Sequence, residues 1–153
     1  MINNKKKVIT ICCSASFYEQ SLDIEKELKK LGFKVKMPIT AKIMQKNNNF
    51  NVKDYKPWHT DKSYYKKKTK LILGHFKKVI ECDAVLVLNY EKNGQKGYIG
   101  GNGLMEMTIA FHYKKPIFIY NKIQEDLNIK EEIYGLNSIF LNGDLAKICK
   151  ILR

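Results

Sequence analysis

Arginine is almost missing from this chain. Of its 28 basic residues, 27 are lysine and only Arg153 is arginine. Reading of bases and bidentate gripping of phosphate favour the planar guanidinium fork. The lysines are also scattered, apart from Lys5–Lys7 and Lys66–Lys68. The net charge of +13 therefore argues for a general attraction of small anions, and nucleic acid is not an expected partner. Long apolar runs are lacking too, which excludes a membrane-spanning helix. The charged start MINNKKK leads into a short apolar run, but that run is too short for a signal peptide and no small-residue cleavage site follows. The four cysteines, Cys12, Cys13, Cys82 and Cys149, show no metal-ligand spacing. Buried thiols in a cytoplasmic protein, with no metal and no cofactor, are the expectation. Pro/Ser-rich linkers and internal repeats are absent, and 153 residues suit one domain spanning 1–153.

The apolar patterning alternates strand with helix. Val8–Cys13 is a continuous apolar run broken only by Thr10, as in a strand covered on both faces. Ser21–Leu31 predicts an amphipathic helix with Leu22, Ile24, Leu28 and Leu31 inward, Glu25 and Lys29 paired outside, and Gly32 as its stop. Phe33–Met37 predicts a second strand. Residues 38–62 read as irregular, containing Pro57, Trp58, His59 and Asp61. A stretch that long suggests a lid or an interface. Ser63–Glu81 predicts a helix, Ala84–Leu88 a central strand, Gly103–Tyr113 a helix and Ile117–Tyr120 a fourth strand. A weak helix over Gln124–Tyr134, a strand over Ser138–Leu141 and a helix over Leu145–Leu152 complete the series.

This order predicts an α/β, flavodoxin-like (Rossmann-like) three-layer sandwich. Its five-stranded, mostly parallel sheet takes the order 2-1-3-4-5. Ligands in such sheets sit beyond the carboxyl ends of the strands, which singles out the loops after the first, third and fourth strands.

Those loops hold the candidate residues. Gly100, Gly101 and Gly103 surround Asn102 directly before a helix, where free amides can receive an anion or a sugar hydroxyl; a tight turn without a ligand is the plainer reading. Glu106 follows one turn on. With Gly103 as N-cap it would cap the helix backbone; otherwise its carboxylate points into the crevice, where it can stabilise or attack an oxocarbenium-like sugar. His75 lies beside the apolar face of its helix, either as packing or as an acid for a leaving group near neutral pH. Ser14, Ser16, Asn89 and Tyr98 lie in the strand-end loops and complete the substrate-holding set. His112 reads as structural, suiting a helix C-terminus.

Three segments in order, ICCSASF, ECDAVLVLN and GGNGLMEMTIAFHYKKPIFIY, resemble the nucleoside 2-deoxyribosyltransferase superfamily, which includes the 2′-deoxynucleoside 5′-monophosphate N-hydrolases. The resemblance covers about residues 8–120. It implies that Glu106 takes the sugar, that Asp83 is structural, and that the protein is a homo-oligomer. His75 stands where many members carry an aspartate that handles the base, and two residues rather than one separate the last glycine from Glu106. The glycine loop is also similar to that of the cytokinin-activating phosphoribohydrolases, without their proline and threonine. The implied function is cleavage or transfer at the N-glycosidic bond of a nucleoside or nucleoside 5′-monophosphate, with Glu106 and His75 catalytic. A non-catalytic nucleotide sensor of the same fold is the alternative.

Overall fold

A computed structural model describes residues 5–152; Met1–Asn4 and Arg153 lie outside the described residues. Five strands form one sheet: β1 (Val8–Cys13), β2 (Lys34–Lys36), β3 (Ala84–Leu88), β4 (Ile117–Ile119) and β5 (Ile139–Phe140). The order is β2-β1-β3-β4-β5, and every pairing is parallel. The apolar runs of β1 and β3 account for their place at the centre. Both faces of each are covered, and β3 is buried at all five positions.

Side-chain alternation divides the core into two layers. Ile9, Ile11 and Cys13 of β1 pack with α1 (Tyr18–Lys30) and α6 (Ala146–Ile151), while Cys12 faces α3 (Tyr65–Glu81), α4 (Gly101–His112) and α5 (Lys130–Gly135). The first face is widened by α2 (Ile39–Asn47), whose Ala41 and Met44 are fully buried.

Several expectations change in detail. Residues 38–62 are not irregular throughout. They hold α2, ended by Asn48 in the left-handed conformation at φ 48°, and then short 3-10 turns at Val52–Tyr55, Pro57–His59 and Lys62–Tyr64. The Asn run after position 46 masks a short helix that tertiary packing completes. α1 begins three residues early, at Tyr18, and Leu31 is exposed beyond its end. Glu25 is not on the outside. It is buried between α1 and α2, with Lys29 and Lys42 each 2.8 Å from its two oxygens. The helix expected over 124–134 shortens to α5. Asp83 is structural: its carboxylate accepts the Val8 N–H at 2.7 Å and meets Lys7 at 3.4 Å, fixing the start of β1 beside β3.

Candidate functional site

The carboxyl end of β1 and the loop that follows β3 open onto a cavity of about 890 Å³. α3 and α4 wall it on one side, and the segment carrying Val52, Tyr55, Lys56 and Trp58 on the other. Part of the 38–62 stretch, expected to be a lid or an interface, thus lines the cavity.

The glycine loop enters the cavity through a tight backbone path. Gly97 has φ +68°, and a Cβ there would sit 2.2 Å from the Lys122 carbonyl oxygen. Only glycine meets both conditions without moving backbone. Gly97→Ala is expected to lower stability by about 2 kcal/mol or more, read as a reduced urea midpoint; an unchanged midpoint would show that the loop adjusts freely. Tyr98, edge-on to Phe17, leans over Gly100. Gly100, Gly101, Asn102 and Gly103 all line the cavity.

The helix begins earlier than its sequence suggests, and this decides the reading of Glu106. Gly100 is the N-cap, in extended backbone, and α4 starts at Gly101. Glu106 is thus the sixth helical residue, beyond reach of the unpaired amides of the first turn. The capping role is excluded, and the side chain points instead across the cavity floor toward α3 and β1. There His75 Nε2 lies 3.7 Å from Glu106 Oε2 and 3.7 Å from Cys12 Sγ. The two expected catalytic residues meet, and Cys12 joins them.

Burial sets their charges. The Glu106 carboxyl is pushed up to about 8, chiefly by desolvation, against the opposing effects of the Cys12 thiol and the Lys68 ammonium. Desolvation and then Lys78 push His75 down to about 4, with the Ile11 carbonyl opposing. At pH 7 the pair is mainly carboxylic acid beside neutral imidazole, so the 3.7 Å approach is not an ion pair. His75 therefore rests neutral near pH 7, because its buried position disfavours the cation. His75 Nδ1 is buried with no hydrogen-bond partner among the described residues.

Ser14 lines the cavity, its Oγ accepting from Lys92 Nζ at 3.1 Å. Ser16 does not line it; it is exposed, and its backbone N–H donates to Ser14 Oγ. Asn89 is also turned away. Its amide is fully buried and engaged with the backbone of Asn121, at 2.9 and 2.7 Å, tying the ends of β3 and β4. It borders a separate, smaller depression. Asn89 therefore holds the frame, and the contact expected of it with a ligand in the Glu106 cavity is not made possible by this geometry.

Sequence reasoning missed the five lysines at the cavity wall, Lys56, Lys68, Lys70, Lys78 and Lys92. Lys92 lies over the Tyr98 ring at 4.9 Å, and Lys68 over the Trp58 ring at 5.6 Å. Lys56 is half-buried. Desolvation, then Lys92 and Lys68, hold its pKa below the ordinary lysine value. Lys56, Lys68 and Lys92 have no ion-pair partner among the described residues. In a chain this rich in lysine, no local signal separates the wall lysines from the rest. The spacing also hid a potential metal-binding group, since Cys12, His75 and Glu106 come from three different elements.

No protein-family profile matches the chain, and no curated protein sequence matches it. Among solved structures, the chain is similar to the Clostridium botulinum CMP N-glycosidase BcmB. The TM-score is 0.50 at 15% sequence identity, over 95% of this chain and 97% of that one. The likeness is one of fold. It spans the whole five-stranded parallel architecture, and no helix among the described residues is long and apolar enough to cross a membrane.

Proposed function

We propose that this protein cleaves or transfers at the N-glycosidic bond of a nucleoside 5′-monophosphate. The observation that carries the reading is Glu106: a carboxyl with only 13% of its side chain exposed, aimed from the sixth position of α4 into a cavity whose wall carries Lys56, Lys68 and Lys92. The CMP N-glycosidase of similar fold supports the same reaction class.

In this reading Lys56, Lys68 and Lys92, with Ser14, take the phosphate, and the glycine loop takes the sugar. Glu106 starts with a proton, and His75 Nε2 is the nearest base. Transfer of that proton from Glu106 to His75 yields a carboxylate facing the anomeric carbon and an imidazolium facing the base. The carbon–nitrogen bond then breaks, the carboxylate stabilising or trapping the sugar cation while His75 protonates the departing nitrogen. The 3.7 Å separation tightens when substrate excludes water. Water or a second base accepts the sugar, giving hydrolysis or transfer.

The test is release of free base from a panel of nucleosides and their 5′-monophosphates, read by chromatography. Turnover of the monophosphates is expected; ligand-induced thermal stabilisation with no turnover would favour a sensor instead. Lys92→Ala is expected to raise KM for a monophosphate about tenfold or more and to change that for the bare nucleoside little, since one charge-assisted hydrogen bond is lost. Equal effects on both would remove Lys92 from the phosphate site.

The same proposal includes self-association. Leu73 on α3 and Phe111 on α4 are 61% and 45% exposed, large apolar groups on adjacent helices that a second copy could cover. Light scattering at micromolar concentration is expected to show a dimer or larger species. The proposed home is the cytoplasm, and no nucleic-acid partner is invoked.

A further inference from the structure

The cavity floor gathers donors that chain order keeps apart. Cys12 from β1, His75 from α3 and Glu106 from α4 place a sulfur, a nitrogen and an oxygen within 4.8 Å of one another. His75 Nε2 is 3.7 Å from each of the other two. Tetrahedral zinc, with bonds of about 2.0–2.3 Å, holds neighbouring donors roughly 3.3–3.8 Å apart. One ion therefore fits among these three atoms with small side-chain movement.

The donor chemistry selects the kind of ion. Thiolate and imidazole favour zinc and its neighbours over magnesium or calcium, which seek oxygen. Thiolate plus carboxylate would neutralise the double charge in a poorly solvated place. His75 and Glu106 border the cavity, so an ion can arrive from that side and keep a fourth position open toward it. Two features weaken the site relative to a structural zinc centre. The lysine wall repels cations, and His75 Nδ1 has no acceptor among the described residues to orient the ring. The combination describes an exchangeable metal rather than a permanent one.

We propose that Cys12, His75 and Glu106 form an inhibitory site for a thiophilic divalent cation such as Zn²⁺, which ligates the carboxylate the glycosidic reaction needs. Binding forms three metal–ligand bonds, to Cys12 Sγ, His75 Nε2 and a Glu106 oxygen. It displaces the thiol proton and the carboxyl proton into solvent. No electron is transferred and no co-reactant is needed. The inhibition rests on the function proposed above, whereas the binding does not.

Titration of the full chain with Co²⁺ alone tests the binding. One saturable equivalent is expected, with a thiolate-to-cobalt charge-transfer band and strong visible bands of tetrahedral cobalt, all bleached by Zn²⁺. Cys12→Ser should lose the charge-transfer band. A variant with Cys13, Cys82 and Cys149 all changed to serine should keep it. His75→Gln should keep the band but need at least tenfold more cobalt, which tests the site even if Cys12→Ser fails to fold. No saturable band in the wild type, or full binding in His75→Gln, overturns the proposal. One equivalent of Zn²⁺ should also suppress base release, reversibly by chelator; binding without suppression would overturn the inhibitory role. A protein that never releases base would refute the glycosidic reading and leave the cobalt result to stand by itself.

Discussion

Glu106→Gln is expected to reduce base release by about 10²- to 10³-fold or more while making the protein more stable at pH 8. Glutamine keeps the shape of the side chain and can still bond to Cys12 and His75, but it cannot carry the negative charge that a developing sugar cation requires. The loss should fall on kcat and kcat/KM together, because the interaction belongs to the transition state. Stability should move the opposite way. Glu106 is buried enough to hold its proton up to about pH 8, against an ordinary value of 4.5. The folded state therefore binds that proton more tightly than the unfolded state does. The stabilising linkage is complete below about 4.5 and is lost progressively as pH rises through about 8. The neutral amide has no such loss, so the variant should gain on the order of a few kcal/mol over wild type by pH 8–9. Chemical denaturation of both proteins, with chelator present, reads this directly. Equal activity in the two proteins would reduce Glu106 to a buried packing residue.

The second large effect is the pH dependence of the wild-type enzyme. The reactive form pairs a Glu106 carboxylate with a His75 imidazolium and so holds one proton between them; kcat/KM in chelator should be level between about pH 4 and 8 and fall above about 8, where that proton is lost. If the proton must pass through His75, His75→Gln should lower the plateau by about 10²-fold, the usual worth of a positioned acid, and leave the stability gain of Glu106→Gln intact. Free imidazole added back should restore part of the rate, which a packing role would not predict. His75 also shapes the acid side of the stability curve. Its value of about 4, against 6.5 for an ordinary histidine, means the unfolded state binds more protons between those limits. Its contribution is full above about 6.5 and lost as pH falls toward 4. Wild type should thus be most stable near pH 5–6, where neither group has claimed its full penalty. A rate that keeps rising through pH 8, where the pair loses its shared proton, would contradict this mechanism.

What could be read from residues alone was the frame. Apolar runs at Val8–Cys13 and Ala84–Leu88, helices between them and glycines before a helix specify a parallel sheet and its ligand-bearing edge, because burial on both faces leaves a direct mark on composition. The Asn-rich stretch after α2 hid a short helix that is held by burial of Ala41 and Met44. Glu25 looked like half of a surface pair because periodicity cannot foresee that α2 closes over it.

The sequence by itself determined that Gly97–Glu106 links a central strand to a helix, since glycine alone allows that path. Only the tertiary structure decided what Glu106 is: α4 begins at Gly101, so the carboxyl lies past the capping positions and enters the cavity. Tertiary structure likewise turned Asn89 toward Asn121, brought Cys12 beside His75 and gathered the wall lysines from distant segments. The charge states of Glu106 and His75 follow from the same cause. A pKa depends on the solvent and charges that surround a group in space, and neither is written in the order of residues along the chain.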